Sequence, residues 1–242
     1  MKKIVISILF VLICITLGTA DIALSYEDEF NDQAISTIWA ERVGTGGNFV
    51  EDASGMLKIT SSSGGVIHTQ FDPAYLHQPV SGDFDIYVKV EAADIDTPYE
   101  TAGIIFYLDD SNWVSCGLLS IRASEITFNR IDTNNQSSSA RDLPSGTGRS
   151  PCWLRMKRVG SDFNCYYALS TPTVNNDWIE IPSTSTTVTS NSDGRIGIYA
   201  KHLSGGSQFI GSFDYFRNFA GGTTPPPTGL TPVRNFMFDM GE

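Results

Sequence analysis

The chain has 242 residues, a hydrophobic content of 41% and a formal net charge of −11. That acidic balance disfavours nucleic-acid phosphates and anionic membrane surfaces as partners, and it suits a neutral ligand or a hard cation held by carboxylates. The apolar content is enough for one sizeable core without reliance on disulfides.

Lys2-Lys3, the apolar run Ile4 to Leu17 and the small residues Gly18-Thr19-Ala20 have the form of a secretory signal peptide over residues 1–20. The run is shorter than the ~20 residues of a membrane span, and Ile13 before Cys14 argues against a lipid-modified cysteine. The expectation is a secreted protein, extracellular or periplasmic, with no membrane association after cleavage. Cleavage removes Lys2 and Lys3, so the mature chain is more acidic still. It keeps Cys116, Cys152 and Cys165, an odd number that leaves at least one thiol unpaired. Cys116 and Cys165 fall on apolar phases and read as buried small hydrophobes; no CxxC or Cys/His metal spacing occurs.

In chain order, short turns of helix are expected at Ser36 to Ala40 and Asp72 to His77. Strands are expected at Met56 to Ile59, Val66 to His68, Phe84 to Val90, Gly103 to Leu108, Trp113 to Leu119, Glu125 to Ile131, Gly194 to Lys201 and Ser207 to Phe219. Each alternates apolar and polar residues at the period of a half-buried strand. Asp109-Asp-Ser-Asn112 joins two of them as a turn whose side chains bond their own backbone. Cys152 to Val159 and Phe163 to Leu169 flank Gly160-Ser-Asp162 as an antiparallel hairpin, with Cys165 opposite Met156 if Gly160-Ser161 turn. About twelve such strands predict an all-β, two-sheet antiparallel jelly-roll sandwich over residues 26–219. Residues 220–232, rich in Gly, Thr and Pro, read as a linker. Residues 233–242 read as a tail or as the start of a truncated following domain.

Alternation places Tyr87 and Lys89, Tyr107 and Asp109, Trp113, Arg155, Tyr166, and Tyr199 and Lys201 on the side of their strands away from the core. Trp39 and Trp153 are assigned to the core. A sugar site needs aromatic faces to stack on pyranose C–H surfaces and polar groups to orient hydroxyls. Trp113, Tyr107, Tyr199, Tyr87, Arg155 and Tyr166 are therefore the candidate carbohydrate-binding residues. The competing reading is ordinary cross-strand pairing of surface aromatics.

Asp28-Glu-Phe-Asn31 with Trp39, Gly55 to Ile59, Gly82 to Val90, Ala102 to Asp110 with Asn112-Trp113, Trp153 to Gly160, Gly194 to Tyr199 and Phe213 to Arg217 form an ordered set of landmarks. Together they resemble the concanavalin A-like lectin/glucanase superfamily. The likeness is to its laminin-G-like jelly-roll modules and to the C-terminal sandwich of family 43 glycosidases. The resemblance implies carbohydrate binding, or support of a neighbouring catalytic domain, in secreted polysaccharide-processing proteins. One departure is Ser170 to Trp178, which is longer than the usual Ser-x-Asp-Gly-x-x-Trp segment and lacks its glycine. In such jelly rolls the first and last strands are neighbours, so Asp28 and Asp214, with Asn31, are candidates for a structural calcium ion; turn capping is the alternative role.

Catalytic patterns are weak. The glucanase signature Glu-x-Asp-x-x-Glu is missing. Its nearest approach, Glu91-Ala-Ala-Asp94-Ile-Asp96 with Glu100, has the wrong spacing for a carboxylate pair. His68, His77 and His202 are isolated, without the Tyr/His set of a lyase. The sequence thus favours a non-catalytic carbohydrate-binding or accessory module. Its expected partners are a polysaccharide or glycan and a downstream catalytic or binding domain. A glycoside hydrolase or polysaccharide lyase of the same fold, and an adhesion or structural spacer domain, are the alternatives.

Overall fold

Strict alternation leaves the chain little choice but extended backbone, because only a strand puts successive side chains on opposite faces. The computed structural model describes residues 27–44, 47–62, 73–91, 100–110, 112–119, 125–132, 135–142, 151–173, 175–181, 193–202 and 208–219. The expected leader (1–20), linker (220–232) and tail (233–242) lie outside the described residues. So do the strand expected at Val66 to His68 and the carboxylates Asp94 and Asp96.

The described strands are β1 (Ala40–Arg42), β2 (Asn48–Glu51), β3 (Leu57–Ser61), β4 (Ala74–Val80) and β5 (Phe84–Glu91). Next come β6 (Glu100–Asp109), β7 (Asn112–Leu119), β8 (Glu125–Asp132), β9 (Asn135–Asp142) and β10 (Cys152–Val159). The set ends with β11 (Asp162–Ala168), β12 (Ile179–Ile181), β13 (Gly194–His202) and β14 (Phe209–Asn218). All pair antiparallel in two seven-stranded sheets. The first runs β1-β4-β13-β6-β7-β8-β9 and the second β12-β11-β10-β5-β14-β3-β2. The expected sandwich is the observed one.

Of the helical turn expected at Asp72 to His77, Ala74 to His77 instead belong to β4, paired with β1 and β13, and Asp72 lies outside the described residues. This strand is buried on both faces over much of its length, so the alternation that marks other strands is blurred. Pro79 lies at an exposed position near its end. At the other expected helical turn, Trp39 N–H donates to the Ser36 carbonyl at 3.0 Å and β1 begins at once.

One phase of each inner strand meets in a single core. Ile86, Val88 and Val90 of β5, Leu154 and Met156 of β10, Ile104 and Phe106 of β6, and Ile196 and Ile198 of β13 all belong to it. Burying each such side chain contributes roughly 1.5–3 kcal/mol. Met156 pairs with Cys165 in the β10–β11 hairpin, in the register that a Gly160-Ser161 turn requires. Cys116, Cys152 and Cys165 are buried free thiols. Burial pushes the Cys152 and Cys165 thiols up, each with further help from neighbouring Cys116, so these two are poor nucleophiles, and all three pack in the core.

Trp39 joins the core as expected, and its indole N–H donates to Asp28 at 2.6 Å. Trp153 does not. The core phase of β10 is Cys152, Leu154 and Met156, so Trp153 projects from the opposite face and packs with Tyr215 there.

Between β4 and β6, strand β13 carries Gly197, where an added Cβ would lie 1.9 Å from the Leu76 carbonyl oxygen and 2.9 Å from His77 Cα. Backbone cannot step aside as a flexible side chain can, so glycine is required for this close strand approach. Gly197→Ala is expected to lower the unfolding free energy by about 1–3 kcal/mol, measured by urea denaturation; an unchanged midpoint would contradict the close packing of β13 on β4.

Candidate functional site

The six residues selected by alternation all project away from the central core, but from different sheets. Tyr107, Trp113 and Tyr199 stand on the outer face of the first sheet, and Tyr87, Arg155 and Tyr166 on the outer face of the second. Phase in a strand says which side of its own sheet a residue occupies. It does not say which sheet. The six therefore divide into two groups on opposite sides of the sandwich.

On the first sheet, strand register builds the site in rows. Arg42, Tyr75, Tyr199, Gly103 and Gly117 follow one another across β1, β4, β13, β6 and β7. Arg195, Tyr107 and Trp113 form another row. Between them lie His77, Gly197, Ile105 and Ser115. The small Gly197 leaves space above its strand, and Tyr75 and Tyr107 meet across it with ring centroids 5.8 Å apart. Tyr199 reaches toward β7, where a Cβ on Gly117 would lie 2.4 Å from its hydroxyl. That hydroxyl is 3.0 Å from Thr101 Oγ1. Tyr75, Ile105, Tyr107, Trp113 and Tyr199 thus form a second apolar cluster, separate from the core.

Burial decides how this face can act. Trp113 and Tyr199 are 0% exposed, Tyr75 1% and Tyr107 6%. The rings form a floor and offer no open faces for stacking. What reaches solvent is a polar rim: the exposed Arg195, the half-buried Arg42 and His77, the hydroxyl end of Tyr107, and Asp110 in the turn after β6. Arg42 donates to the Tyr107 hydroxyl at 3.0 Å and to Asp110 at 3.3 Å, and Tyr107 O–H donates to Asp110 at 2.7 Å. The Arg42 guanidinium lies 5.3 Å from the Tyr107 ring centroid and 5.8 Å from that of Tyr75. The Arg195 guanidinium lies 5.5 Å from the Tyr107 centroid. Each is within cation–π reach.

These contacts set the charge states. Burial works against the charge on Arg42, but its hydrogen bonds to Tyr75 and Tyr107 outweigh this and hold it cationic. Burial, then the hydrogen bond to Asp110, pushes the Tyr107 hydroxyl up to about 12. His77 is lowered to about 4 by burial, then by the charges of Arg195 and Arg42. At neutral pH Arg42 is therefore cationic, while the His77 imidazole and the Tyr107 phenol are neutral.

Arg42, Tyr75, His77 and Arg195 were not among the sequence candidates. Arg42 sits in a strand of three residues and Tyr75 and His77 in a segment that reads as helix. Arg195 was legible, because it is in phase with Tyr199 along Gly194 to Tyr199.

The outer face of the second sheet is locked by ion pairs and rings. Arg155 makes a two-point bond to Asp85 at 2.7 and 2.6 Å. Its guanidinium lies 3.6 Å from the Phe219 centroid and 5.2 Å from that of Tyr166. Tyr87 meets Trp178, Tyr215 and Phe219 edge-on. Trp153 N–H donates to the Tyr215 hydroxyl at 2.7 Å, and Arg217 pairs with Glu29. The long segment before Trp178 ends in a short 3-10 turn, Asn175–Asp177, and brings Trp178 onto this cluster. Tyr87, Arg155 and Tyr166 are spent on one another and on these neighbours.

Asp28 accepts from the Phe30 and Trp39 N–H groups at 3.0 and 2.6 Å, and Asp214 accepts from Lys89 at 2.8 Å. Among the described residues, no group of three His, Cys, Asp or Glu side chains gathers as a metal site. On the first sheet, the outward positions from Tyr75 to Pro79, Thr101 to Tyr107, Trp113 to Gly117 and Arg195 to Lys201 hold no carboxylate. Asp109 ends β6 and Asp110 belongs to the turn joining β6 to β7.

A family model described as a protein of unknown function (DUF1349) matches residues 60–218. No curated protein matches the chain. Among solved structures, the GH43 BlXynB protein from Bacillus licheniformis is similar at 17% identity and a TM-score of 0.62, over 81% of this chain and 39% of that one. The chain thus spans well under half the length of that GH43 protein. The Bacillus licheniformis beta-glucanase is similar at 12% identity and a TM-score of 0.58, over 80% of this chain and 96% of that one. A functionally unknown protein from Saccharomyces cerevisiae aligns at 14% identity and a TM-score of 0.56, over 78% and 96%. At these identities the likeness is one of fold, the concanavalin A-like sandwich.

The unfolded chain binds a proton at His77 near pH 6.5 and the folded chain only near 4. The stability tied to the neutral ring is therefore complete above pH 6.5 and is lost as pH falls toward 4. Glu51, raised to about 7 by burial and then by its hydrogen bond to Asp32, acts in the opposite sense between about 4.5 and 7. Comparison with a variant isolates the histidine. His77→Gln is expected to lose less stability than the parent between pH 6.5 and 4 in denaturant titrations, and parallel losses would contradict the assignment.

Proposed function

Since the chain belongs to the DUF1349 family, which carries no assigned activity, we propose from its structure that it is a secreted, non-catalytic carbohydrate-binding or accessory module. Its ligand would lie on the outer face of the first sheet. The observation that carries this reading is the corner where Arg42, Tyr107, Asp110, His77 and Arg195 meet over a buried aromatic floor. Sugar hydroxyls donate and accept at similar spacings, and the corner offers both donors and acceptors. Guanidinium N–H groups donate, while the Asp110 carboxylate, held in place by the Tyr107 O–H, accepts. The packed floor fixes these groups before a ligand arrives, which reduces the ordering cost of binding.

The likeness to part of a GH43 protein supports an accessory role beside a catalytic domain. In that setting a weak site gains effective affinity from its attachment. Nearly complete overlap with a beta-glucanase favours a second reading, a hydrolase. That reading needs two carboxylates about 5–10 Å apart across the sugar, whereas Asp109 accepts from Asn112 and Asp110 is tied to Arg42 and Tyr107.

Calorimetry against soluble neutral and acidic plant and microbial polysaccharides tests the binding reading. Binding is expected to weaken about tenfold on Arg42→Gln and severalfold on Tyr107→Phe, consistent with the loss of one charged hydrogen bond to the ligand and of the hydrogen bond that positions Asp110. Absence of binding across the panel, or parental affinity in both variants, would overturn it. Release of reducing sugar abolished by Asp110→Asn would favour the hydrolase instead.

A further inference from the structure

We propose that the corner formed by Arg42, Tyr107 and Arg195 takes an acidic sugar, a uronate side group on an otherwise neutral polysaccharide, with its carboxylate on Arg195. The inference rests on the carbohydrate-binding reading and narrows it to a ligand class.

Two cations share one ring here, neither more than 5.5 Å from the Tyr107 centroid. Their charges are not equally answered. Asp110 lies 3.3 Å from the Arg42 guanidinium and offsets it. Arg195 is exposed, rests on the Tyr107 ring and pairs with no carboxylate among the described residues. Among the described residues, the corner thus keeps one positive charge without a paired carboxylate, in a chain whose formal net charge is −11.

The chemistry of the group selects the anion. A guanidinium is planar and presents parallel N–H donors that fit a carboxylate at two points. With its carboxylate on Arg195, a pyranuronate would direct ring hydroxyls toward the Arg42 guanidinium and the Asp110 carboxylate, one a donor and the other an acceptor. The rest of the protein limits charge density. A polymer with an acid on every residue is repelled by the acidic surface as a whole, whereas acids spaced along a neutral backbone pay little of that penalty.

The probes are glucuronoxylan, the same material after reduction of its carboxyl groups, and polygalacturonate, each titrated into the full chain by calorimetry. Glucuronoxylan is expected to bind at least about tenfold more tightly than its reduced form. Arg195→Gln should erase that difference, and Lys157→Gln, which removes one positive charge from the other sheet, should leave it intact. Arg195 is exposed, so its substitution is expected to leave the melting temperature unchanged. Equal affinity for native and reduced xylan overturns the proposal, as does a Lys157→Gln loss equal to that of Arg195→Gln, or tighter binding of polygalacturonate. Neutral binding without acid preference defeats only this inference. No binding to any polysaccharide, neutral or acidic, defeats the carbohydrate reading as well.

Discussion

Hydrophobic contact between the two sheets decides what every strand can display. Once Ile86, Val88 and Val90 face Ile104, Phe106, Ile196 and Ile198 across the sandwich, the intervening residues have to point outward. A one-residue slip would send polar side chains into the core and apolar ones out. Register is thereby fixed, and the rows of outward residues follow from it. Arg42, Tyr75 and Tyr199 align only because β1, β4 and β13 are held in that register by the core beneath them.

The outer faces are not bare. Each carries its own packed layer of rings and guanidinium groups, and the two layers differ in how their charges are answered. On the second sheet, Arg155 and Arg217 are each closed by a carboxylate, Asp85 and Glu29, and lie against aromatic rings. Such contacts hold Glu29 and Phe219 against the sheet and leave little to offer a ligand. On the first sheet, Arg42 is answered by Asp110, while Arg195 rests on Tyr107 and has no carboxylate partner among the described residues. The same residue types, arranged with one carboxylate fewer, give a surface with spare hydrogen-bonding capacity. That asymmetry is why the first sheet is the better candidate for recognition.

Small residues make the first face possible. Gly197 lets β13 approach β4 closely and opens the space in which Tyr75 and Tyr107 touch. Gly117 leaves room for the Tyr199 hydroxyl beside Thr101. The rings are buried as a consequence, so the face works through the polar ends of its residues rather than through open aromatic planes. A surface read as a stacking platform is better described as a rigid floor with a charged rim.

Alternation alone determined that this chain forms paired strands, that β5, β6, β7, β10, β11, β13 and β14 exist, and that Tyr107, Trp113 and Tyr199 project away from the core. Period-two patterning is a local property, and a half-buried strand writes it directly into the sequence. It failed for β4, whose burial on both faces hides the pattern, for β1, β2 and β12, too short to show one, and for β9, whose sequence is polar almost throughout. Only the tertiary structure decided which strands share a sheet, and so separated Tyr87, Arg155 and Tyr166 from the other three candidates. It also brought Arg42 to Tyr107 from 65 positions away in the chain and buried the rings beneath the rim. Those outcomes depend on strand order, twist and the layer of atoms above each face, which are set by contacts between distant segments and leave no periodic mark along the chain.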